Sequence, residues 1–117
     1  MNVDSIIERF SKISGLTGDA LENWLYICED SMLEIRGKLR EGVVEEDHER
    51  LLCASAASLS FYKYVLCMLI KNDISSENMY SINGNVTKSI AYALWTDYKN
   101  MISHLLIDDR FIFKGII

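Results

Sequence analysis

The stretch LLCASAASLSFYKYVLCMLI, residues 51–70, constrains this chain more than any other, because an apolar run of that length either crosses a bilayer or fills the centre of a fold. Its own residues separate the two. Lys63 lies in the middle, serines interrupt the run, and Arg50 and Lys71 flank the two ends alike, so nothing orients it in a membrane. A lysine near a bilayer centre costs roughly 2.5 to 3.5 kcal/mol on insertion scales, and Ala and Ser offset little of it. No membrane span is expected. Residues 53–58 are small on every face, so neighbouring backbones can approach this waist from more than one side. The run therefore reads as the central helix of a bundle. Beyond the waist, Leu59, Phe61, Tyr62, Tyr64, Val65 and Leu66 leave little polar face, which predicts that another subunit covers part of it, with Lys63 turned to solvent or snorkelling.

The chain has 117 residues and no proline, so long helices are permitted and only glycine and local polar chemistry can end them. A first helix is predicted over 3–13, where Val3, Ile6, Ile7, Phe10 and Ile13 share a face and Ser14-Gly15 stops it. A second runs from 17–19 to about Arg40, with Asp19 as N-cap and Glu22 closing a capping box. Its stripe is Leu21, Trp24, Leu25, Cys28, Met32, Ile35 and Leu39, its surface carries a Glu34 to Lys38 pair, and Gly42 supplies the stop. Glu45, Glu46 and Asp47 suit the positive end of the third, central helix. Residues 72–78 read as a loop, and Asn83-Gly84 as a two-residue hairpin or turn near 80–87. Thr87 then caps a last helix through Leu106, with Ile90, Ala91, Leu94, Trp95, Tyr98, Met101, Ile102 and Leu105 on its buried stripe.

These elements predict an all-α fold: one domain over 1–117, a small bundle of about four helices with a long central one. An N-terminal helix covers 1–14, a helical core 17–106 and an extended C-terminal arm 107–117. The end, RFIFKGII, is too apolar for a solvated tail and must dock on something. Either it folds back over its own bundle, or it adds to a neighbour by backbone pairing, with Phe111 and Phe113 on one face and Ile112 on the other. Candidate interface residues are thus Tyr80, Ile82, Asn83, Gly84 and Val86 at the turn and Phe111, Ile112, Phe113 and Ile116 in the arm.

The net charge is −5, and the acid is uneven: residues 1–50 hold 12 Asp and Glu against 6 Lys and Arg, residues 51–117 hold 5 against 6. Attraction to nucleic-acid phosphates is weak on average, so no sequence-specific nucleic-acid binding is expected. Cys28, Cys53 and Cys67 are odd in number and lack CxxC spacing, which argues against a disulfide framework or a zinc site and for buried thiols. His48 and His104 have no partner at metal-binding helical spacing, and neither acidic cluster matches a calcium loop. No nucleophile elbow or glycine-rich phosphate loop is present. No catalytic residue, metal or cofactor is assigned, and the chain does not read as an enzyme. The opening MNVDSIIERF, with Asp4 and Glu8 and no basic segment, does not read as a secretion signal.

Three stretches together, LLCASAASLSFYKYVL, INGNVT and LLIDDRFIFKGI, resemble the helical head-to-tail connector, or adaptor, proteins encoded among the head-completion genes of tailed phages and prophages. The resemblance runs from Trp24 onward and rests on packing patterns. It implies a virion structural protein of the neck, assembled in the host cytoplasm as a ring of about twelve copies between portal and tail proteins and conducting DNA. The first helix departs from the family pattern. Two other classes fit the same residues. One is a small cytosolic helical regulator or antitoxin-like protein working through a homodimer or partner face. The other is a minor enzyme or ligand-binding bundle, which predicts a pocket with convergent polar groups near the waist.

Overall fold

The computed structural model describes the backbone of residues 1–75, 78–108, 110 and 111, and the side chains of these outside 72–85. The helices are α1 (Val3–Ser14), the five-residue α2 (Gly18–Glu22), α3 (Leu25–Lys38), α4 (Glu49–Ser75) and α5 (Asn78–Ile102). Short 3-10 turns cover Glu45–His48 and Ser103–Leu105. Among the described residues there is no strand, only an isolated antiparallel bridge between Leu39 and Leu106. The fold is all-α, as the sequence predicts.

The chemistry of α1 is local. Asn2 caps it by accepting from the Asp4 and Ser5 amides, Ile6 and Phe10 are fully buried, and Gly15 ends it at φ 77, a conformation glycine adopts without penalty. The predicted second helix is instead broken in two. α2 stops at Glu22, α3 starts at Leu25, and Thr17 rather than Asp19 holds the N-cap position. Trp24 sits at the break with its ring edge-on to Tyr64, 4.9 Å between centroids, and Phe10 and Phe61 complete the aromatic cluster around Tyr64. No glycine or proline marks that break; the contact with α4 accompanies it.

α4 lies at the centre, against α1, α3 and α5. Residues 52–60 are buried without exception, Ala56 and Ala57 completely. The waist serines hide their hydroxyls in their own helix: Ser55 Oγ donates to the Leu51 carbonyl at 2.8 Å, Ser58 to Ser55 at 2.8 Å and Ser60 to Ala56 at 2.7 Å. With 27 residues, α4 is about 40 Å long, enough by length and composition to cross a membrane, yet most of that apolar stretch is covered by its own bundle. α5 returns antiparallel to it, since Tyr62 meets Tyr92 while His48 meets His104. The molecule measures 49 × 29 × 20 Å.

Several expectations give way here. Lys63 does not reach solvent: it is 1% exposed and its ammonium donates to Glu34 Oε1 on α3. Glu34 is therefore taken from Lys38, which pairs with Asp108 at 2.8 Å instead. α4 continues helical to Ser75 where a loop from Asn72 was expected, and α5 begins at Asn78, so Asn83-Gly84 and Thr87 lie inside a helix rather than in a hairpin and a cap. α3 ends at Lys38, before Gly42, which makes a turn at φ 89.

The segment after α5 returns to the bundle. The Arg40 amide donates to the Leu105 carbonyl and the Ile107 amide to the Lys38 carbonyl, both at 2.8 Å. At the opposite side of α3, Arg36 clamps Glu45 through two hydrogen bonds of 2.7 and 3.0 Å. That guanidinium, opposed in part by desolvation and aided by the Met1 ammonium, pulls the Glu45 carboxyl down to about 2.

Candidate interaction surface

Helical spacing places two apolar faces on α5. Ala91, Trp95 and Ile102, at intervals of four and seven, are buried against the core. Val86, Ile90, Asp97 and Met101, at intervals of four, seven and four, lie well round the helix from them and face outward. Val86 is 57% exposed, Ile90 62% and Met101 53%. Ile90 and Met101 were expected on the buried stripe. Periodicity tells which residues share a face, but the neighbouring helices cover only the half of that face nearest α4. Ile107, in the segment beyond α5, is exposed as well. A groove of about 410 Å³, lined by Tyr62, Lys88, Ser89 and Tyr92, runs along the other flank of α5.

Of the interface residues predicted from sequence, Val86 lies on this outward face. Tyr80, Ile82, Asn83 and Gly84 belong to the first turns of α5, and their side chains lie outside the described residues. Phe111 is half-buried on its own bundle, edge-on to Trp95 at 5.0 Å with the Lys38 ammonium 5.4 Å from its ring centre. Backbone and ring thus hold the arm to its own chain as far as Phe111. Ile112, Phe113 and Ile116 lie outside the described residues.

The chemistry-bearing residues are engaged structurally. Cys28, Cys53 and Cys67 are free and buried, and burial pushes the Cys28 thiol up to about 11, far from a reactive thiolate. His48 and His104, far apart in sequence, meet edge-to-face with ring centres 6.4 Å apart. Among the described residues no three His, Cys, Asp or Glu side chains converge to hold a metal ion. Compared with known proteins, no family model, curated protein or solved structure matches this chain.

Proposed function

We propose that this protein is a structural subunit that works by assembling with copies of itself through the outward face of α5. One observation carries this: α5 is apolar on two sides, and its own bundle covers one of them. The sequence put surplus apolar surface on the central helix, the turn and the arm; among the described residues α5 exposes Val86, Ile90, Tyr92 and Met101, and the central helix exposes Ile70. The resemblance to head-to-tail connectors supplies the form of the assembly, a ring around a channel with portal and tail proteins as neighbours. An acidic subunit suits a DNA conduit, because a negative lining releases no counterions from the passing duplex.

The test is negative-stain electron microscopy of the protein alone and with the product of the adjacent gene. Rings in the mixture, lost with Ile90→Asp while circular dichroism stays unchanged, are the expected result. A salt-stable dimer near twice 13.4 kDa and no ring would select the regulator reading instead.

A further inference from the structure

An open cleft of about 510 Å³ lies between α1 and the start of α4, and its lining holds Arg9, Lys12 and Arg50 beside Glu8 and Glu49. Its size falls within the range of small-molecule sites. Residues 5, 8, 9 and 12 of α1 form one helical face of the cleft, and residues 49, 50 and 53 of α4 form the other. Both carboxylates in it already have partners: Glu8 pairs with Lys12 at 3.2 Å, and Glu49 pairs with the Met1 ammonium at 3.2 Å and accepts from Cys53 Sγ at 3.3 Å. Arg9 and Arg50 have no ion-pair or hydrogen-bond partner among the described residues. Two guanidinium groups from two helices therefore line one cleft without an ion-paired or hydrogen-bonded carboxylate of their own among the described residues.

We propose that this cleft is a binding site for an oxyanion of the phosphate class, held by Arg9 and Arg50. A planar guanidinium offers two parallel N–H donors to one acceptor group. Two such forks present four donors; a phosphate meets them with more oxygens and more negative charge, whereas a carboxylate must take both forks on two oxygens with a single charge. The Ser5 hydroxyl, on the same face as Arg9, adds a donor of the kind phosphate sites use. Glu8 and Glu49 line the same cleft, and their pairs with Lys12 and the Met1 ammonium offset their repulsion of an anion. The inference is independent of assembly through α5.

The experiment is isothermal titration with inorganic phosphate at fixed ionic strength, with glycerol phosphate and acetate as parallel arms, on the wild-type chain and on Arg9→Gln and Arg50→Gln. Saturable phosphate binding is expected, about tenfold weaker in each variant and about tenfold weaker for acetate, the loss of one charge-assisted pair. Arg50 is exposed, so its variant keeps the fold and carries the test even where Arg9→Gln does not. Absence of saturable binding, or acetate binding as tightly as phosphate, overturns the proposal. So does an Arg50→Gln variant that binds phosphate as the wild type does.

Discussion

At the scale of single residues, the fold turns on charges placed where local spacing gives no sign of them. Lys63 and Glu34 are 29 positions apart and meet only because α3 crosses α4. A buried pair contributes little net stability over an apolar replacement, but removing one partner strands the other. Lys63→Ala should therefore destabilise by about 3 kcal/mol in urea unfolding, the low end of the usual range because Glu34 is one-fifth exposed. The double change Lys63→Met with Glu34→Leu should stay within about 1 kcal/mol of wild type. Glu45 makes the complementary case at a wetter site. Its folded carboxyl, at about 2, lies below the ordinary 4.5, so the clamp stabilises fully above pH 4.5 and is lost as pH falls towards 2. Glu45→Gln should lose about 1 kcal/mol at neutral pH, and the gap between the two melting curves should close over that acid window.

At the scale of elements, what sequence could announce is what each element decides for itself. α1 was legible because its apolar spacing and its Gly15 stop are all local, and the waist of α4 because small residues on every face have one good use. The Asn83-Gly84 signal failed for a physical reason. A glycine inside a helix costs about 1 kcal/mol, less than the gain from continuing α5 into its contact with α4. Gly84→Ala discriminates directly: in a helix it should stabilise by about 1 kcal/mol, whereas at a left-handed turn position it would destabilise. The break at Trp24 was equally hidden, since it lies where α3 meets the Tyr64 ring and carries no local breaker. The waist makes the matching prediction for close approach. Ala57→Leu adds bulk where helices meet on more than one side and should cost about 1 to 3 kcal/mol by chemical denaturation.

At the scale of the whole molecule, the area available decides how strongly α5 can hold a second copy. From Val86 to Met101 the outward stripe is about 24 Å long at 1.5 Å per residue, and about 10 Å wide, a footprint of roughly 240 Å². Stable protein interfaces bury about 800 Å² on each partner, so this stripe alone supports only weak association. Asp97 in its middle weakens it further unless a partner answers the charge, and so favours one register over a loose apolar stack. The dispersed apolar groups around it, Tyr92 and Ile107 among them, add area only when a neighbour wraps beyond the helix. The chain should accordingly be monomeric at about 10 μM and associate towards 1 mM, with sedimentation velocity showing a concentration-dependent rise in mass, since millimolar Kd corresponds to only about −4 kcal/mol. Ile90→Asp should remain monomeric across the range at unchanged helicity, because Ile90 touches solvent in the single chain. A wild-type mass that stays at 13.4 kDa at the highest concentration and in the presence of its neighbours would leave the outer face of α5 without a role.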